Sequence, residues 1–236
     1  MNLRKGKKVA ILTAASGITI MAFTGFVFRG RILEQWYFRE LECRDWERIH
    51  SAIRRLGELR SVRAVPRFFD RIRREPEGDK PPFGYETLGS IPDALGKIGG
   101  PATPELIQAL EDKNHWVRTF AALALGKIGR PAKEAVPALI RLLKDEDRYE
   151  QDVAAHALGA IGEQAEEAVP VLIEFLKEEN GDFLRASAAG ALGGFGSRAR
   201  VAVPALMDIS KDSNDAVRMA AIKSVERIHD DLQPAR

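Results

Sequence analysis

Cysteine is almost absent. Cys43 is the only one in 236 residues, and one thiol closes no intramolecular disulfide, so a cross-linked small-domain scaffold is excluded. It sits in a charged stretch, "ELECRDWER", with no evident base beside it. Aromatic residues make up 7% of the chain, so Ala, Leu, Val and Ile must supply most of any core. Histidine is scarce. His50, His115, His156 and His229 have no second His or Cys at ligand spacing, so no metal site and no cofactor are expected. There is no G-x-x-x-x-G-K-[ST] phosphate loop and no G-x-S-x-G elbow, the usual signs of nucleotide chemistry and of a serine nucleophile. No catalytic residue emerges.

Acidic residues are missing from the first 31 positions, which carry six basic ones. Residues 32–76 hold 11 basic and 8 acidic residues, and residues 77–236 hold 19 basic and 26 acidic, a net −7. The basic end is therefore local. The bulk of the chain is mildly acidic and repels a phosphate backbone, so no nucleic-acid partner is expected.

The basic end surrounds an uncharged run, "VAILTAASGITIMAFTGFVF", residues 9–28. Twenty helical residues rise about 30 Å, the thickness of a bilayer hydrocarbon core. The run predicts a single transmembrane signal anchor behind a basic flank at 1–8. A cleaved signal peptide is the rival reading, but its apolar region would be shorter and its cut site would need small residues at both −3 and −1. Four positive side chains plus the α-amino group precede the run. Arg29, Arg31 and Arg39 follow it, which orients the repeat region away from the cytoplasm. Residues 31–56 contain no Pro or Gly, so one helix is expected to run on from the membrane. Trp36 and Tyr37 then stand where an interfacial belt would, or else cap the first repeat.

What the sequence has in abundance is repetition. "ALGKIG" occurs at 94–99 and 124–129, "ALGAIG" at 157–162 and "ALGGFG" at 191–196. Each follows a proline signature, and Pro104, Pro137, Pro170 and Pro204 are 33, 33 and 34 residues apart. A fixed period in this range is the mark of a stacked repeat. Each unit reads as two helices. Helix A carries Pro in its first turn, then an apolar stripe such as Val136, Leu139, Ile140 and Leu143. Helix B runs through "VRTFAALALGKIG" and ends at Gly129. The glycines inside helix B (Gly96, Gly126, Gly159, Gly193) cost about 1 kcal/mol each in helix propensity. Their recurrence calls for a packing reason, close approach of neighbouring helices. Five units are expected at about 64–100, 101–130, 131–163, 164–197 and 198–231, after a connecting and capping segment at 29–57. The first unit carries a Pro- and Gly-rich insertion, "EPEGDKPPFGYE", and Pro92 shortens or kinks its second helix.

These residues resemble the HEAT-like repeats of the phycobilin-lyase type over roughly 45–231. The resemblance implies an all-α, right-handed α-solenoid of about five helical hairpins, used as a binding scaffold. It also implies that a turn Asp and the Arg after Val bind along the stack. Asp112 with Arg118 and Asp212 with Arg218 match; Arg185 matches, but its turn carries Glu179. Glu150-Gln151 and Thr87-Leu88 depart from the pattern, so this ladder is expected to break twice. Phycobilin lyases attach or isomerise a bilin, and that activity is the alternative to a non-enzymatic scaffold.

Solenoids bind through corresponding positions. With Val117 as position 0 of helix B, positions 3, 6 and 10 share one face. In the middle of the stack they bring Phe120, Leu123, Lys127, Val153 and His156 together, an apolar patch expected to contact a partner protein. Arg67, Arg71 and Arg74, with Arg73 beside them, form a basic face suited to lipid headgroups. No small-molecule substrate is predicted.

Overall fold

The computed structural model describes residues 26–75, 78, 81–82 and 87–231. Residues 9–25, most of the expected anchor, lie outside this set. Among the described residues there are twelve α-helices and no strand. They are Phe26–Leu41 (α1), Trp46–Glu58 (α2), Ala64–Arg73 (α3), Thr87–Ile98 (α4), Thr103–Ala109 (α5) and His115–Ile128 (α6). Val136–Leu143 (α7), Arg148–Ile161 (α8), Ala165–Glu174 (α9), Gly181–Gly194 (α10), Val203–Ile209 (α11) and Asp215–Asp230 (α12) complete them. None of the described helices is long and apolar enough to cross a membrane.

Local chemistry sets the helix starts. Asp45, Asn114, Asp147 and Asn214 each accept backbone N–H bonds at the first turn of α2, α6, α8 and α12, filling donors that a helix N-terminus otherwise leaves open. Asp45 also explains why no single helix runs through 31–56: the chain turns at 42–45 and restarts under this cap. Gly129 and Gly162 take positive φ at the ends of α6 and α8, a conformation that suits glycine at a C-cap.

Alternate helices form two layers. The B helices α2, α4, α6, α8, α10 and α12 each pack closely on the next, whereas the A helices α1, α3, α5, α7, α9 and α11 touch one another sparsely. Crowding one layer and spreading the other curves the stack, with the B layer inside. The glycines account for the crowding. A Cβ at Gly57 would lie 2.6 Å from Ala94 Cα, at Gly126 3.2 Å from Ala157 Cα, and at Gly159 2.6 Å from Ala191 Cα. Glu226 occupies the same position in α12 and is exposed, and a side chain of that size there blocks any equally close approach from beyond α12.

The core is one continuous cluster of Ala, Leu, Val, Ile and a few Phe running between the layers. It extends one hairpin further than expected. The segment expected to connect and cap, 29–57, instead folds as α1 packed against α2, giving six hairpins among the described residues. Phe38 and Leu41 of α1 are buried with Ile49, Ile53 and Leu56 of α2. Tyr37 packs against this cluster while Trp36 remains 54% exposed, so Tyr37 caps the core and Trp36 does not.

The expected basic face is largely neutralised. Arg71 pairs with Glu75 and donates to the Leu41 carbonyl, Arg74 pairs with Glu42, and Arg73 bonds Asp70 and Asp112. Arg67 lies 4.4 Å over the Phe38 ring. These four cations are committed within the first two hairpins and along the turn edge.

Candidate functional site

The free face of the B layer is built from positions 6 and 10 of each helix. Position 6 supplies Arg54, Asp93, Leu123, His156, Gly190 and Lys223, and position 10 supplies Glu58, Lys97, Lys127, Ala160, Gly194 and Arg227. All are exposed except Leu123 and Gly190, which are half-buried.

Position 3 does not belong to this face, which corrects the expected apolar patch. Phe120 is 0% exposed and Val153 4%. The Phe120 ring lies 5.9 Å from that of Trp116. Position 3 flanks the ridge, and neighbouring B helices at close spacing wall it in. Of the five residues expected to meet a partner, Lys127 and His156 are exposed, Leu123 is partly covered, and Phe120 and Val153 are core.

The ridge is electrostatically unlike the rest of the chain. It holds five permanent cations (Arg54, Lys97, Lys127, Lys223, Arg227) and two anions, Glu58 and Asp93. Asp93 pairs with Lys127 at 2.6 Å, and Glu58 with Arg55 at 2.9 Å. Arg54, Lys97, Lys223 and Arg227 make no ion pair among the described residues. Exposed acids concentrate instead on the A helices and turns, as at Glu111, Asp145, Glu146, Glu166, Glu167 and Glu179.

His156 stands at the middle of the ridge. Its Nδ1 lies 3.0 Å from the Asp152 carbonyl oxygen and 3.2 Å from Asp152 Oδ1. The hydrogen bond to Asp152 holds the imidazole pKa above its ordinary value. Ser187 Oγ also contacts Asp152. The serine thus meets the carboxylate and not the imidazole, so this trio does not reproduce the Ser–His–Asp order in which His activates the hydroxyl. A folded-state pKa above the unfolded value means that the stabilisation is complete below about pH 6.5 and is lost as pH rises through the raised value. His156→Gln should therefore flatten the change in melting temperature between about pH 6 and 8, measured by thermal melts across that range.

A second network follows the turn edge, where the Asp–Arg ladder was expected. Arg118 donates from Nη1 to the carbonyl oxygens of Asp112 and Lys113 at 2.8 and 3.0 Å, not to the Asp112 carboxylate. Its Nε and Nη2 fork onto Glu150 of the next hairpin at 2.8 and 2.7 Å. The Asp112 carboxylate accepts instead from Arg73 of the preceding hairpin at 2.6 Å. Arg218 repeats the Arg118 pattern on the Asp212 carbonyl at 2.7 Å, and the Asp212 carboxylate pairs with Arg185. The Asn214 N–H and Arg185 together hold the Asp212 carboxyl below its ordinary pKa. Glu179 is not the partner of Arg185, which binds Leu176 O, Asp182 and Asp212. The ladder also crosses both expected breaks: in the hairpin of Thr87-Leu88 the Arg73 bond to Asp112 takes over, and at Glu150-Gln151 two other bonds do. Gln151 donates to the Asp145 carbonyl at 2.6 Å, and Arg148 reaches Asn180 O at 2.8 Å. Each hairpin from the second to the fifth is thus tied to the next along this edge.

One cluster has the residue types of a metal site. Ligand atoms of His115, Asp147 and Glu150 lie within 4.8 Å of one another. Asp147 is the N-cap of α8, accepting from Tyr149 N at 2.8 Å. His115 Nε2 lies 3.3 Å from Gly78 O, and the Arg118 fork occupies Glu150. Each donor is engaged, and a guanidinium on the deepest carboxylate opposes a cation. A groove of about 640 Å³ beside the last three hairpins is lined by Arg130, Arg198, Arg227, Gly162, Gly194 and Gly196. Glu163 lies between Arg130 at 2.6 Å and Arg198 at 3.6 Å, and Arg227, the cation the groove shares with the ridge, stands there with the carboxylates of Asp230 and Asp231.

Comparison with known proteins bears on this arrangement. The family model described as HEAT repeats matches residues 88–133 and 103–193. The structure of the complex of CpcE and CpcF of phycocyanin lyase from Nostoc sp. PCC7120 is similar at 26% identity, over 83% of this chain and 76% of that one, with a TM-score of 0.54. The karyopherin Kap121p bound to the extreme C-terminus of the protein phosphatase Cdc14p is similar at 14% identity, over 84% of this chain and 26% of that one, with a TM-score of 0.57. A designed armadillo repeat protein in complex with the peptide (KR)4 is similar at 17% identity, over 83% of this chain and 99% of that one, with a TM-score of 0.51. No curated protein matches the chain.

Proposed function

We propose that this chain, whose residues 88–193 match HEAT repeats, is a non-enzymatic scaffold that holds a partner protein on the inner face of its solenoid. One observation carries the reading: the ridge of positions 6 and 10 stays accessible through all six hairpins, while the turn-edge polar side chains are spent on joining hairpins. Two similar structures hold a peptide or a protein C-terminus. The uncharged run at 9–28 would fix the scaffold to a membrane through one span, with the repeats on the side away from the cytoplasm. The exposed Trp36, one turn after Ile32, which is also exposed, suits a position at the membrane interface.

The test is steric. Ala160→Trp places a large ring on the ridge floor, and Val201→Trp places one on the outer edge, where Val201 is 70% exposed. Partner capture by crosslinking in membranes should be lost with the first variant and kept with the second. Equal capture by both overturns the reading. Digestion of the repeats by protease from the cytoplasmic side alone overturns the orientation. The alternative, a bilin lyase-like activity, draws on the likeness to the phycocyanin lyase complex. It predicts a bound tetrapyrrole, seen as visible absorbance of the purified protein.

A further inference from the structure

We propose that the segment held on the ridge is extended and acidic, with its carboxylates at two cation clusters and its main chain over the small residues between them. The proposal rests on the scaffold reading and goes beyond it by fixing the chemistry of the partner. One cluster is Lys97 with Lys127, from the second and third hairpins. The other is Lys223 with Arg227, one turn apart on α12. Between them positions 6 and 10 hold only His156, Ala160, Gly190 and Gly194. No atom lies within 4 Å of where a Gly190 Cβ would be. The small residues Ala160, Gly190 and Gly194 beside His156 let a peptide backbone come close, and flanking cations select what the peptide carries at its ends.

Charge complementarity decides the sign. Three of these four cations have no ionic partner among the described residues, and the fourth, Lys127, shares Asp93 across hairpins. The chain from 77 to 236 is meanwhile net −7. A positive stripe on an anionic body steers anions to that stripe and repels them elsewhere. The designed armadillo protein binds (KR)4, and this ridge has the opposite preference. Spacing favours a protein over a nucleic acid. Phosphates recur every few ångströms and reward a continuous cationic track, whereas here two clusters are divided by a floor on which His156 stands among small residues. Lys127 and Lys223 are three hairpins apart. At 8–10 Å per packed helix this is roughly 27 Å, the reach of about eight or nine extended residues.

Fluorescence anisotropy with the full chain in mild detergent tests this. The probes are a 12-residue peptide with Asp/Glu at both ends and a Gly/Ala centre, the peptide (KR)4, a neutral 12-mer pool and a 12-nucleotide single-stranded DNA. The acidic peptide should bind, more weakly as salt rises, and (KR)4 should not. Lys97→Glu with Lys223→Glu and Arg227→Glu should weaken it by on the order of tenfold or more. Lys144→Glu with Lys177→Glu, in the outer turns, should leave it unchanged, and thermal melts show that both variants are folded. Tighter binding of DNA than of the acidic peptide overturns the proposal. If neutral or basic peptides bind instead and Ala160→Trp abolishes that binding, the acidic partner is excluded and the scaffold reading stands. If no probe binds in a way that responds to Ala160→Trp, the ridge is not a peptide site and both fall.

Discussion

Arg118→Ala lowers the unfolding free energy by about 3–5 kcal/mol, far beyond what a partly exposed arginine on a solenoid edge contributes as a surface ion pair. The reason is its partner. Glu150 stands where α6, α10 and α12 place Val117, Leu184 and Val217, and it is 0% exposed. Burial pushes its carboxyl pKa up, and the Arg118 fork pulls against that shift. Removing the guanidinium leaves an ionised carboxylate in the core with nothing to replace lost water. The group then takes up a proton instead. The pH dependence has a fixed sign. A carboxyl whose folded pKa lies above the ordinary value of about 4.3 is tolerated below that value and costs stability as pH rises through the raised one. The Arg118→Ala protein should therefore recover part of its loss on mild acidification.

The converse substitution should behave oppositely. Glu150→Val installs the kind of apolar residue that α6, α10 and α12 carry there and is neutral or stabilising, by about 1–4 kcal/mol, as when buried ion pairs give way to packed apolar groups. Arg118 loses the fork but keeps the Asp112 and Lys113 carbonyls, as Arg218 keeps those of Asp212 and Ser213. In the Glu150→Val background, Arg118→Ala should then cost under about 1 kcal/mol. Urea unfolding of the four proteins completes the cycle. An equal loss in both backgrounds would show that Arg118 stabilises through its carbonyl bonds and not through Glu150.

The hairpins from α5 to α10 were legible because each announces itself twice, by a proline at the start of helix A and by Ala-Leu-Gly near the end of helix B, and the last one keeps the proline and the period. The first hairpin was not. Helix α1 has no proline, and two of its buried positions are acids, Glu34 and Glu40, which break the apolar stripe. Their burial makes sense only with partners from elsewhere in the chain: Ser61 and Arg63 on Glu34, and Arg48 on Glu40. The site was half legible for a related reason. Angles around a single helix put positions 3, 6 and 10 on one face. The depth of that face depends on how near the neighbouring helices stand, which buries Phe120 and Val153 and leaves Lys127 and His156 free. The ladder depended on Arg73 and Arg148, which replace a repeated residue from different positions, and one-dimensional spacing does not reveal such substitutes.

The spacing of the B helices yields a contrast of sign. Gly159→Ala and Gly190→Ala exchange the same atoms in the same kind of helix. In isolation each would add up to about 1 kcal/mol of helix propensity. At Gly190 the new methyl meets open space, so that gain should survive, raising the melting temperature by roughly 2–4 °C for a chain of this size. At Gly159 the methyl would stand 2.6 Å from Ala191 Cα and 2.9 Å from its carbonyl oxygen. Backbone cannot rotate aside as a side-chain end can, so α8 and α10 must separate. Overpacking of this kind costs about 1–3 kcal/mol, enough to exceed the propensity gain and lower the melting temperature. Two shifts of the same sign would mean that close approach is not why the glycine recurs. The separation also has a functional consequence. It opens the inner layer between the two cation clusters, so Gly159→Ala should weaken the acidic 12-mer while Gly190→Ala, beside the same floor but away from the α8–α10 contact, should weaken it less.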